Sequence, residues 1–295
     1  MGKIMEEKHL LTEEEIRNIR REIFKNNGKV VIPRGVITYL KNKKMSVSTK
    51  GKILYAYIGI ILCYHNAYHT YRKHHMHLSN ILDVMNIGWS KLVRKEFTKS
   101  GFFEKEGYIT HQNYLPLWYE LSKTKSKDNK EVIFANHKTT NDLTRDELLE
   151  KVNNYENRYK ICIEPTLHIY GKKVKKGRGY QIKQQPLNIE PVDYIMFDLK
   201  TIEKVLTGEL SSGALFYIAY LKGITGNNNI TDKDKFKTSV SQIAVGLDIT
   251  EITARKFHKE IRDNFGEKYY KLNQVTKKYN GGLISIVYLN LSREI

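Results

Sequence analysis

Side chains that could hold a polyanion cluster at four places in this chain. Thr250, Glu251, Thr253, Arg255, Lys256 and Lys259 fall within ten residues, and Ser90, Lys91, Arg94 and Lys95 within six. Arg and Lys donate to phosphates and base edges, Ser and Thr do either, and Glu can accept from a cytosine amino group. Lys277 and Lys278 stand just before Tyr-Asn-Gly-Gly. Lys172, Lys173, Lys175, Lys176 and Arg178 sit among the three glycines of 171–179. That composition predicts a flexible cationic arm able to follow phosphates or enter a minor groove. Catalytic spacings are scarcer. There is no Gly-x-x-x-x-Gly-Lys-Ser/Thr phosphate cradle and no His-Glu-x-x-His. His75-Met76-His77 has the spacing of metal ligands on a strand, and with a tyrosine nucleophile it could cut a phosphodiester. These histidines, however, fall just ahead of a capped helix. No catalytic residue, metal or cofactor is expected.

The first cluster is positioned by the run from Ser211 to Leu291. Ala214, Leu215, Ile218 and Leu221 recur at helical spacing, predicting an apolar helix over 211–223. A polar loop, 226–234, follows. Ser239 is placed to cap a short helix over 240–247, Asp248 and Ile249 make a turn, and Thr250 caps a helix reaching about Phe265. Ala254, Phe257 and Ile261 share one side of that helix, while Thr253, Arg255, Lys256, Lys259 and Arg262 fall elsewhere. Two strands, 268–275 and 283–291, then form a hairpin whose tip, 276–282, carries Lys277 and Lys278.

The first half repeats the plan more loosely. An apolar helix over 48–65 carries Ile53, Leu54, Tyr57, Ile58, Ile61 and Leu62. Ser79 is expected to cap a helix over 80–86, and Ile87-Gly88 to turn the chain. A second helix over 89–100 would hold Leu92, Val93, Glu96 and Phe97 on one side and Ser90, Lys91, Arg94 and Lys95 outside, with Gly101 ending it. A hairpin turning at 104–107 would return along 108–115. Ahead of this, a helix over 12–25 opens with a Thr12/Glu15 capping box and carries Ile16, Ile19, Ile23 and Phe24 as an apolar stripe. It is expected to dock on the first module.

The region 121–192 reads as a structured connector: a polar loop over 122–130, a surface helix over 143–159, a short strand at 161–163 and the basic arm. An apolar rhythm over 192–206 leads into the second module. Four segments follow: an N-terminal helix 1–28, a first module 29–120, the connector 121–192 and a second module 193–295. The fold class is α+β.

The chain has 295 residues, with 50 Lys+Arg against 32 Asp+Glu. The excess of +18 is uneven, standing at 0 over 1–28, +10 over 29–119, +5 over 120–192 and +3 over 193–295. Such a field draws nucleic acid by counterion release. Cys63 and Cys162 are the only cysteines. They offer no zinc spacing or disulfide framework and suit a reducing cytoplasm. No signal peptide or membrane-spanning run is evident.

Ser241 to Phe257 (Ser-Gln-Ile-Ala-Val-Gly-Leu-Asp-Ile-Thr-Glu-Ile-Thr-Ala-Arg-Lys-Phe) resembles the helix-turn-helix core of winged-helix regulators, in which a small residue, here Ala244 or Gly246, lets the helices pack closely. With the fainter run Ser79 to Phe97, the two-module plan resembles plasmid and phage replication initiators. That resemblance implies two winged-helix domains joined by a basic connector and sequence-specific binding of double-stranded DNA at an origin. It also implies self-association and host replication proteins as partners. A transcriptional repressor or partition protein would carry the same features. A metal-dependent rolling-circle nickase and an RNA-binding protein are the alternatives of another kind.

Overall fold

Helices alternate with short antiparallel strand pairs, making this an α+β chain. The computed structural model describes residues 11–25, 28–67, 76–113, 118–125, 131–138, 161–165, 169–176, 179–186, 194–225, 237–266, 270–279 and 282–291. The chain packs as two units, each built from two separated stretches: Met1–Ile23 with Gly59–Asn188, and Phe24–Ile58 with Ile189–Ile295. Residues 29–58 therefore pack with the second half of the chain. Among the described residues no helix is long and apolar enough to cross a membrane.

The second unit is centred on a strand pair that no local pattern announces. Strand β1 (Lys29–Pro33) pairs antiparallel with β8 (Tyr194–Asp198). Val30 lies opposite Phe197 and Ile32 opposite Ile195, and all four are buried. Two alternating apolar strands thus share one dry face. Each strand runs directly into a nine-residue helix, α2 (Arg34–Asn42) after β1 and α7 (Leu199–Thr207) after β8. Asp198 caps α7 by accepting from Lys200 N at 3.0 Å, and Gly208 ends it at φ 81°. A serine then caps the next helix: Ser46 accepts from Thr49 N (3.2 Å) at α3 (Val47–Asn66), and Ser211 accepts from Ala214 N (3.1 Å) at α8 (Ser212–Thr225). Counterparts lie 165 residues apart: Lys29 and Tyr194, Arg34 and Leu199, Ser46 and Ser211. The repeat of the plan therefore begins with a strand and a helix that precede the expected apolar helices.

Helix α8 is the hub of this unit. Ala214 to Leu221 are buried on every side, because α2, β8 and α10 (Glu251–Phe265) all pack on it. Lys222 at its end donates Nζ to Met196 O at 2.8 Å and lies 5.5 Å from the Phe197 ring. Burial, and to a lesser degree the charge of Lys29, lowers its pKa to about 8 against the opposing pull of Asp198. Helix α9 (Val240–Leu247) precedes α10. Strands β9 (Lys237–Thr238), β10 (Tyr270–Tyr279) and β11 (Gly282–Leu291) form a sheet in the order β10-β11-β9. The hairpin strands are longer than expected: Lys277 pairs with Ile284 and Lys278 with Leu283, so both lysines are on a strand and not in a loop. Residues 280 and 281 lie outside the described residues.

In the first unit α1 (Glu13–Phe24) opens with the Thr12/Glu15 box: Thr12 N donates to Glu15 Oε2 (2.8 Å) and Glu15 N to Thr12 Oγ1 (3.3 Å). Ile19 and Ile23 are buried, while Ile16 and Phe24 are half-buried. Arg20 ties the helix to the end of α4 (Leu78–Val84), donating to Val84 O at 2.7 Å and Asp83 O at 3.0 Å. A cation at those terminal carbonyls satisfies groups the helix leaves open.

Several expectations for this unit are corrected. Helix α4 starts at Leu78 after His77, so Ser79 lies inside it and caps nothing. The long second helix is only α5 (Lys91–Glu96). Thr98 Oγ1 donates to Lys95 O at 3.0 Å, and Phe97 stacks on Phe103 with centroids 4.5 Å apart as the chain folds back. Gly101 therefore precedes a short helix, α6 (Phe102–Lys105), at φ −77°, instead of ending α5 in a left-handed cap. No hairpin turns at 104–107: β2 (Ile109–Asn113) pairs with β5 (Ile161–Pro165), some fifty residues on. The expected loop over 122–130 begins as strand, since β3 (Trp118–Lys125) pairs with β4 (Glu131–Lys138). The basic arm is a strand pair, β6 (Ile169–Lys176) with β7 (Gly179–Pro186), and not a free tether. The expected loop over 226–234 and helix over 143–159 lie outside the described residues.

Candidate nucleic-acid interface

Two capped helices and one left-handed residue build the site. Ser239 Oγ accepts from Gln242 N, and Gln242 Oε1 accepts from Ser239 N, both at 3.0 Å, closing a capping box on α9. Asp248 adopts φ 57° and turns the chain; Ile249 N donates to Ala244 O at 3.0 Å. Asp and Asn tolerate this conformation better than bulky residues do. Thr250 Oγ1 then accepts from Thr253 N at 3.2 Å and starts α10. Gly246 lets α9 approach α8: a β-carbon there would overlap the Tyr220 hydroxyl. Gly213 does the same for α10, since a β-carbon would stand 2.8 Å from the Phe257 ring. Gly246 thus packs against α8, not against the second helix of the corner.

The inner side of α10 is locked. Ala254, Phe257, His258 and Ile261 are buried. Tyr217 OH and His258 Nε2 share a hydrogen bond, and the two rings meet edge to face. Burial, helped by the charge of Arg255, brings the His258 pKa down to about 4, and burial drives that of Tyr217 far up. Asn264 Nδ2 donates to Glu209 O at 2.9 Å, and Ser211 Oγ donates to Glu260 Oε2 at 3.0 Å.

The outer side holds Ile252, Arg255, Lys256, Lys259 and Arg262, all exposed. Of the residues read as DNA contacts, Arg255, Lys256 and Lys259 are together on this ridge. Thr250 and Thr253 are engaged in the cap. Glu251 accepts from Ser241 Oγ on α9 and pairs with Arg255 Nη2 at 3.6 Å, joining the two helices of the corner. Lys277 and Lys278 lie on β10, which follows α10 and packs beside it.

The first unit has a matching corner. Asn86 takes φ 52°, and Ile87 N donates to Leu82 O at 2.8 Å. These positions stand 162 residues before Asp248, Ile249 and Ala244. Its surface is less cationic than expected. Ser90 is the cap of α5, accepting from Val93 N at 3.4 Å. Arg94 is half-buried and gives both terminal nitrogens to Ser79 Oγ at 3.3 Å. Lys91 and Lys95 are exposed. Leu92, expected inside, is 54 % exposed beside Trp89 at 76 %. Lys172, Lys173, Lys175 and Lys176 occupy register positions on β6 opposite Lys183, Ile182, Tyr180 and Gly179, with Val174 between the two pairs. Arg178 and His75 lie outside the described residues. Met76 is buried, and among the described residues no three His, Cys, Asp or Glu side chains could hold a metal ion.

Sequence reading missed Ile252 and Val245, both exposed on this corner. The signal was present: Ile252 is apolar yet off the Ala254–Phe257–Ile261 side. Comparison with known proteins finds no matching family model, no matching curated protein and no matching solved structure.

Proposed function

We propose that this chain is a non-enzymatic, sequence-specific double-stranded DNA-binding protein that carries two winged-helix domains and acts at a replication origin. One observation carries the reading: α10 has an apolar side fixed against α8 and an opposite side that presents four cations to solvent, with a hairpin bearing Lys277 and Lys278 following it. A helix of this kind fits the major groove, and a hairpin beside it reaches the phosphate backbone. The order helix, short strand, two helices and hairpin over 212–291, with β9 on the hairpin's second strand, is the order of a winged helix. The origin role rests on the repeated plan: two corners on one chain suit adjacent or repeated DNA sites. A repressor would use the same surface on one short palindrome.

Footprinting on DNA from the protein's own replicon tests the role, because protected repeats in a row fit an initiator. Variants test the surface. Arg255→Ala is expected to cost about 1–3 kcal/mol of binding and to relax base preference. Lys277→Ala is expected to weaken all duplexes alike and to lower the salt slope by about one. Unchanged duplex affinity in both variants would overturn the assignment.

A further inference from the structure

Five large apolar side chains stand exposed among the described residues, and the two most exposed both belong to the 240–265 corner: Val245 at 82 % and Ile252 at 81 %. Ile252 is no part of the packed side of α10. It lies one turn before Arg255 and Lys256 and two before Lys259, on the same outer side. Helix formation does not ask for it, because a β-branched residue is a weaker helix former than the Glu, Lys and Arg around it. Its position is fixed, since the Thr250 cap and the bonds from Glu251 to Ser241 and Arg255 hold the first turn.

A large apolar group at the head of a cationic ridge has one matching partner on a duplex. The 5-methyl group of thymine is the apolar group that the major groove displays. The first turn of a recognition helix is the part that meets base edges. We infer that Ile252 contacts a thymine 5-methyl group, so that the protein distinguishes thymine from uracil at that position. The inference rests on the duplex-binding reading of α10. Val245 is equally exposed, but it lies on α9, the helix that in such a corner crosses the backbone without entering the groove. It receives no base contact and supplies the control.

The probe is the duplex that the full chain enriches from a random-sequence library, made once with thymidine and once with deoxyuridine at every thymidine position. The wild-type chain is expected to bind the thymidine duplex about fourfold more tightly per methyl group contacted. Ile252→Ala should bind both duplexes alike, at the level wild type shows for the deoxyuridine form. Val245→Ala should keep the wild-type ratio. Equal wild-type affinity for the two duplexes overturns the inference and leaves duplex binding intact. A ratio that survives Ile252→Ala, or disappears only in Val245→Ala, also overturns it. Enrichment of no duplex at all removes the reading of α10 and this inference with it.

Discussion

At the scale of single residues, the buried face of α10 predicts an acid-sensitive fold. His258 is 8 % exposed and bonded to Tyr217, and burial lowers its pKa to about 4, so that in the folded chain it is protonated only below about that pH. In the unfolded chain it titrates near 6.5. Between those values the unfolded state binds more protons, so stability is complete above about pH 6.5 and is lost as pH falls toward 4. The loss attributable to this residue is about 2 kcal/mol between pH 7.5 and pH 5. Urea unfolding of wild type and His258→Gln at both pH values measures it: the variant, whose side chain does not titrate, should lose about 2 kcal/mol less. Equal losses would show that the imidazole is not buried as described. Sequence placed Phe257 and Ile261 inside but was silent on His258. Nothing local says whether an imidazole at that position faces water or Tyr217.

At the scale of elements, caps and helical periodicity were the most readable signals. The Ser239 and Thr250 caps, the Thr12/Glu15 box and the turn at Asp248 lie where their residue types put them. These are bonds within four residues, so the sequence contains both partners. The same logic failed at Ser79. The helix there begins one residue earlier, and the hydroxyl is taken by Arg94 from fifteen residues away. Stability tells the two serines apart. Ser239→Ala should cost about 1 kcal/mol as a lost cap, and Ser79→Ala about 1–2 kcal/mol because Arg94 loses its acceptor. Chemical denaturation with and without Arg94→Ala checks this: the Ser79 cost should shrink in the Arg94→Ala background and the Ser239 cost should not, and the reverse would contradict both assignments. The long helix expected over 89–100 failed for a related reason: Phe97 finds Phe103 as a partner and the chain turns to let them stack.

At the scale of the whole molecule, charge and packing were legible to different degrees. The net charge of +18 predicts strong salt dependence of duplex binding. If the ridge and hairpin neutralise about six phosphates, affinity should fall about a thousandfold between 50 and 200 mM salt. A titration series by fluorescence anisotropy measures the slope, and an affinity indifferent to salt would remove the electrostatic basis of the proposal. Sequence by itself determined the α+β class, the helices over 212–265, the Ser239 and Thr250 caps and the cationic side of α10, because periodicity and capping act within a few residues. Only the tertiary structure decided that β1 joins β8, that β2 joins β5, that the basic segment of 169–186 is a paired ribbon, and that Arg94 turns inward while Ile252 stays out. Strand partners and buried polar contacts are set by residues far apart in the chain, which meet only when the core closes, and no local pattern records that meeting.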